Sequence, residues 1–103
     1  MEKITYKDLS SKTAKGVVII DVYADWCQPC KRQAEIFDNM GSVLKEEKVT
    51  IYKMDLDKSE NKAIAFKYSF QSIPTMLIFK DGEMTKKLTG IQDETQIKYY
   101  LKN

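Results

Sequence analysis

The 103-residue chain contains no histidine. That absence excludes Ser-His-Asp and Cys-His nucleophilic machinery, His-ligated metals and imidazole acid–base chemistry. Arginine is scarce too. Arg32 is the single one among 17 basic residues, which removes most planar, bidentate phosphate reading. With 15 acidic residues the formal net charge is +2, too even for a nucleic-acid surface. No apolar run approaches the ~20 residues of a membrane span. Residues Met1 to Asp8 hold no apolar h-region, so no secretory signal is read there and a cytoplasmic setting is expected. Thiols are mostly kept reduced in that setting, where two cysteines suggest chemistry rather than a structural staple. Any chemistry must use carboxylates, Lys, Tyr or the two cysteines.

Hydrophobic residues make up 43% of the chain and charged residues 31%, near globular averages and against disorder. A chain of 12.0 kDa has room for one domain, residues 1–103, and none for a second. Folding at this size buries roughly 60–70% of the unfolded surface. No repeat, low-complexity tract or linker interrupts it.

Strand-like and helix-like segments alternate. Val17 to Ala24 is β-branched and apolar on both faces except at Asp21, which reads as a central strand covered on both sides. Pro29 to Lys48 reads as a helix with Ala34, Phe37 and Met40 on one stripe, flanked by Ile36, Val43 and Leu44, and with Gly41-Ser42 as a weak point. Val49 to Leu56 reads as a second strand. Asp57 and Glu60 have capping-box spacing for a helix ending near Tyr68. Thr75 to Lys80 and Met84 to Thr89 flank Asp81-Gly82, a hairpin signal because a type I′ turn needs positive φ at both central residues. Asp93 and Gln96 frame a last capping box, with Ile97, Tyr100 and Leu101 on one face. A short strand near Lys3 to Tyr6 and a helix near Lys7 to Ala14 open the chain. The order β-α-β-α-β-α-β-β-α predicts an α/β fold: a mixed sheet, parallel through its first crossovers and antiparallel at its last hairpin, with helices on both faces.

The chemistry concentrates in Trp26-Cys27-Gln28-Pro29-Cys30-Lys31, between the central strand and the long helix. The first N–H groups of a helix lack intrahelical partners and the dipole end is positive. Cys27 can set its sulfur near the amides of Cys30 and Lys31, which lowers its pKa. Pro29 fits the first turn, where its missing N–H costs nothing. The i,i+3 spacing brings the two sulfurs within disulfide reach. Cys27 is expected to be the exposed attacking thiol, and Cys30, one turn in, the buried resolving thiol.

A free cysteine, of pKa ~8.5, is only ~3% thiolate at pH 7. A drop to ~7, within the span of CxxC cysteines, gives roughly half thiolate, about a 15-fold gain. Lower intrinsic nucleophilicity takes back roughly fivefold, leaving about threefold. Activation of the thiolate alone makes no catalyst, so substrate positioning and a group that manages the Cys30 proton must supply the rest. Asp21 is the candidate. Desolvated in its strand, it would have a raised pKa and could deprotonate Cys30 directly or through a water; placed at the strand end, it would simply face solvent. Lys53, alternating with Val49 and Ile51, could pair with Asp21 or snorkel to the surface. The pattern leaves both questions open. A CxxC is also half of a zinc site; without histidine or a second CxxC, metal binding would need carboxylates or a second chain.

Asp21-Val22-Tyr23-Ala24-Asp25-Trp26-Cys27-Gln28-Pro29-Cys30-Lys31 resembles the active-site segment of the thioredoxin family. Ser72-Ile73-Pro74-Thr75 resembles its cis-proline loop, Phe79-Lys80-Asp81-Gly82-Glu83 its hairpin, and Gly90 the glycine after the last strand. The likeness covers nearly the whole chain. It implies the thioredoxin fold, with Cys27 as nucleophile, Cys30 as resolving thiol, Asp21 as buried acid–base group and Lys53 as its charged neighbour. It implies a docking patch of Trp26, Gln28, Pro29, Ile73, Pro74, Gly90 and Ile91. There the Ile73 backbone would pair with an extended substrate segment, and Pro74 would be cis against the ~5–6% base rate for such bonds.

The implied activity is reduction of disulfides in other proteins, an electron-transport role in cell redox homeostasis. The oxidised pair would be recharged by a thioredoxin-reductase-type donor, a flavin enzyme using NADPH or a ferredoxin-linked one. No Gly-rich nucleotide fingerprint is present, so no cofactor is expected on this chain; neither is a metal, a nucleic acid or a membrane, and a monomer is the default. Alternatives from the same motif are a more oxidising isomerase or oxidase-type module, a non-catalytic docking partner using the apolar patch, and a dimer clamping metal through two CxxC pairs. Departures from the family pattern are Gln28 in place of glycine, which bears on redox potential and partner choice, Glu35 in place of a helix-kinking proline, Tyr23 in place of tryptophan, and Ser69 in place of glycine. Asp57 to Glu60 also forms a slightly long loop.

Overall fold

A computed structural model describes residues 1–102. The β-branched run that reads as a central strand is β2, Val17–Tyr23, and it sits in the middle of the sheet. The other strands are β1 (Glu2–Lys3), β3 (Val49–Asp55), β4 (Thr75–Lys80) and β5 (Glu83–Thr89), in spatial order β1-β3-β2-β4-β5. β3 runs parallel to both β1 and β2, whereas β4 is antiparallel to β2 and to β5. The mixed sheet expected from the element order is therefore present. Its helices are α1 (Leu9–Lys12), α2 (Gln28–Asn39), α3 (Gly41–Glu46), α4 (Ala63–Lys67) and α5 (Glu94–Lys102).

Side chains alternate across a strand, so β2 serves two cores. Val18, Ile20 and Val22 pack with Ile4, Leu9, Met54, Ile64, Phe70, Leu77 and Phe79. Ile19 packs on the other face with Phe37, Met40, Leu44, Met76, Ile78 and Ile97. Each fully buried side chain of this size contributes about 1.5–3 kcal/mol relative to exposure. Position 21 falls on the Ile19 face, beneath α2, and that parity decides the chemistry below.

Several boundaries differ from the sequence expectation, each for a local reason. The helix expected from Pro29 to Lys48 breaks at Met40, whose backbone (φ −95°, ψ 8°) leaves the helical region. Gly41 and Ser42 propagate a helix weakly, while the Met40 side chain is fully buried and anchors the break. The opening strand ends at Lys3, although the Ile4 amide still donates to the Lys53 carbonyl (2.9 Å). Thr5 then turns the chain by donating from its backbone N–H and its hydroxyl to Asp8; a 3-10 turn (Tyr6–Asp8) precedes α1, which is shorter than expected.

The Asp57/Glu60 capping box does not form: a 3-10 turn (Ser59–Asn61) precedes α4, with no side-chain cap at its start. The Asp57 carboxylate instead accepts from the indole N–H of Trp26, 31 residues earlier. The Asp93/Gln96 box does form, with both reciprocal bonds at 2.8 Å. Asp81 (φ 49°) and Gly82 (φ 89°) supply the two positive φ angles of the expected hairpin. Ser69 takes the left-handed conformation (φ 56°) at the end of α4. There Lys87 of β5 donates to the Tyr68 and Ser69 carbonyls at 3.1 and 2.9 Å, which satisfies acceptors a helix end leaves open.

Candidate active site

Cys27 is the N-cap of α2, with extended backbone (φ −89°, ψ 108°), and Pro29 lies in the first turn. The Cys30 amide donates to the Cys27 sulfur at 3.2 Å. That is the amide contact expected at a helix start, and it favours a negatively charged sulfur. The Lys31 amide does not join it, because it bonds the Cys27 carbonyl at 3.2 Å and closes the first helical turn. The two cysteines are joined as a disulfide, with Cα atoms 5.2 Å apart.

The expected contrast between an exposed leading sulfur and a buried follower is absent in this form. Cys27 is 4% and Cys30 3% exposed, because Tyr23, Ala24 and Ile73 pack around both. What separates them is their neighbours. The Cys27 sulfur lies 3.9 Å from the Ile73 carbonyl oxygen, on the side of the cis Ile73–Pro74 bond. Cys30 instead lines a cavity of about 160 Å³ shared with Asp21, Tyr23, Lys53, Asp25 and Lys31.

Asp21 is 2% exposed, and its Oδ1 is buried without a hydrogen-bond partner. The solvent-facing alternative for Asp21 is thereby removed. Burial raises its carboxyl from 3.8 to about 7, with the Lys53 charge pulling the other way. Lys53 pairs with Asp21 in the β2–β3 register, yet the two make no direct ion pair. Its ammonium lies 5.7 Å from the Tyr23 ring centroid, in cation–π range. Lys53 is half-buried, so it neither fully pairs nor fully snorkels. Burial also pushes the Tyr23 phenol up, against a hydrogen bond from Lys3.

Around the dithiol, Trp26 is 70% exposed and its Nε1 donates to the Asp57 carboxylate at 2.8 Å. This is the contact that displaces the expected capping box. Gln28, Pro29 and Ile91 are exposed, Ile73 and Gly90 half-buried, and Pro74 buried. Gly90 has φ 87°, where only glycine is unstrained, and its amide donates to the Pro74 carbonyl at 2.8 Å. The fold thus joins the glycine after β5 to the cis-proline loop.

The sequence reading missed Gln33. It is 1% exposed, with Nε2 donating to the Gln92 carbonyl (3.0 Å) and Oε1 accepting from the Gln92 amide (2.7 Å). The available signal was its place three residues after Cys30 and four before Phe37, on the buried side of α2. No group of three or more metal-ligating side chains is present among the described residues. No helix among them is long and apolar enough to cross a membrane.

The thioredoxin family model matches residues 2–103. Curated thioredoxins of Staphylococcus aureus, those of strains COL and N315 among them, are 39% identical to this chain over 95 residues, which span 92% of it and 88% of theirs. The crystal structure of Malassezia sympodialis thioredoxin superposes with a TM-score of 0.81 at 29% identity, covering 98% of this chain and 89% of that one.

Proposed function

The chain belongs to the thioredoxin family and is a thiol–disulfide oxidoreductase of protein disulfides; from that premise we propose that it works as a reductant in which Cys27 attacks and Cys30 resolves. The Cys27 thiolate attacks one sulfur of a substrate disulfide. A Cys27–substrate bond forms, the substrate S–S bond breaks, and the departing thiolate takes up a proton. Cys30 then gives its proton to the Asp21 carboxylate, directly or through a water in the shared cavity, and attacks the Cys27 sulfur. The Cys27–Cys30 bond forms, the mixed disulfide breaks, and the second substrate thiolate is protonated. Two electrons have passed from the dithiol to the substrate.

The observation that carries this order is the different surroundings of two equally buried sulfurs. Cys27 has the amide donor and the Ile73 backbone, whereas Cys30 shares its cavity with a carboxyl near neutrality. A general base is most effective with a pKa near the working pH. The substrate segment lies along Ile73 as an added strand, over Trp26, Gln28, Pro29, Pro74, Gly90 and Ile91. A flavin-type thioredoxin reductase, drawing on NADPH or ferredoxin, returns the electrons, and the cytoplasm is the reducing compartment where such a cycle runs.

Insulin-disulfide reduction with dithiothreitol tests the assignment. Cys27→Ser is expected to be inactive, and Cys30→Ser to accumulate mixed disulfides. Mixed disulfides trapped by Cys27→Ser instead would reverse the roles. A redox titration against glutathione tests the direction, since a potential near or above about −180 mV would remove the reductant reading.

A further inference from the structure

We propose that Gln33 is a positioning residue that sets substrate discrimination by fixing the Gly90–Gln92 segment to the catalytic helix. The inference rests on the docking-patch reading above. Gln33 lies in α2, three residues beyond Cys30. Its carboxamide meets the Gln92 backbone in both directions, accepting from the N–H at 2.7 Å and donating to the carbonyl at 3.0 Å, across 59 residues of sequence. The carboxamide acts as one rung of a sheet ladder, built from a side chain.

A buried polar side chain between Cys30 and Phe37 is costly unless satisfied, and here it satisfies two backbone groups that a loop would otherwise turn to water. The same segment is tied on its other side by the Gly90 amide on the Pro74 carbonyl. Helix α2, the cis-proline loop and the segment after β5 therefore form one hydrogen-bonded frame around the sulfurs. Gln33 touches neither sulfur in any hydrogen bond; it acts through Gly90 and Ile91, the far wall of the surface a substrate strand must fill. An apolar residue of equal length would keep the packing and release that wall.

The test compares insulin, which needs the wall, with 5,5′-dithiobis(2-nitrobenzoate), a small disulfide that does not. In Gln33→Met the preference for insulin over the small disulfide, as a ratio of kcat/KM values, is expected to fall about tenfold, mainly through KM for insulin. An equal fall for both substrates, or no change in their ratio, would overturn the inference and leave Gln33 a packing residue. Ile91→Ser separates this from failure of the underlying reading. If Ile91→Ser leaves KM for insulin unaltered, the docking patch itself falls and takes the inference with it. If Ile91→Ser raises KM while Gln33→Met does not, the inference fails alone. Should Gln33→Met fold poorly, amide hydrogen exchange of the wild-type protein decides. The Gln92 amide is expected to exchange at least about tenfold more slowly than that of Ile91, and equal rates would refute the clamp.

Discussion

Replacing Asp21 with asparagine should make the protein more stable in alkali while slowing its turnover. An acid with a folded pKa above its unfolded value keeps its proton in the native state after the unfolded chain has lost it. Stability is then undiminished below pH 3.8 and falls as pH rises toward about 7, where the native carboxyl also ionises. At 1.36 kcal/mol per pH unit, the interval between 3.8 and about 7 corresponds to about 4 kcal/mol in full. About a third of that is already lost by pH 5, leaving about 3 kcal/mol to go between pH 5 and 8.5. The asparagine carboxamide cannot ionise, so the stability difference between Asp21→Asn and wild type should grow in favour of the variant by about 3 kcal/mol over that range. Urea unfolding of both oxidised proteins at the two pH values reads it directly. A difference that stays flat with pH would refute the claim that this carboxyl is buried with its proton affinity raised. The same variant should reduce insulin at least about tenfold more slowly at pH 7, and its pH–rate profile should lose an inflection near neutrality.

Three further outcomes follow from the same geometry. Lys53→Met removes the charge that opposes burial at Asp21, so the inflection in the rate profile should move to higher pH; a move to lower pH would contradict the assigned sign. Ser69→Gly relieves a left-handed backbone on an L-residue, and thermal unfolding should show a gain of about 1 kcal/mol, or roughly 4–8 °C. Asp57→Ala leaves the Trp26 indole N–H without its carboxylate; loosened, the exposed ring should raise KM for insulin severalfold, and an unaltered KM would show that the hydrogen bond plays no part in docking.

The elements legible in the sequence are those whose information lies within a few residues. Val17–Tyr23 is apolar and β-branched over its own length, Asp81-Gly82 supplies its own positive φ angles, and Asp93 and Gln96 are bonded to each other three residues apart. The CxxC pair at a strand-to-helix junction belongs to the same class, as does the proline in the first turn. Legibility ended where a local signal met a better distant partner. Asp57 and Glu60 have the spacing of a capping box, but the indole of Trp26, 31 residues away, takes the Asp57 carboxylate. The continuous helix from Pro29 failed for the complementary reason: weak propagation at Gly41-Ser42 was visible, but the buried seat of Met40 that fixes the break was not.

By itself, then, the chain determined that a dithiol would sit at a helix start, with no histidine or cofactor motif to compete with it, and that its strands would form a mixed sheet. Tertiary structure alone decided which face of β2 Asp21 would take, that its oxygen would stand unpartnered beneath Cys30, that Lys53 would lie over the Tyr23 ring, and that Gln33 would meet the Gln92 backbone. Hydrogen bonds within a turn are set by backbone geometry that neighbouring residues impose. Desolvation and long-range pairing depend on atoms brought in from remote segments, and no stretch of sequence contains that sum.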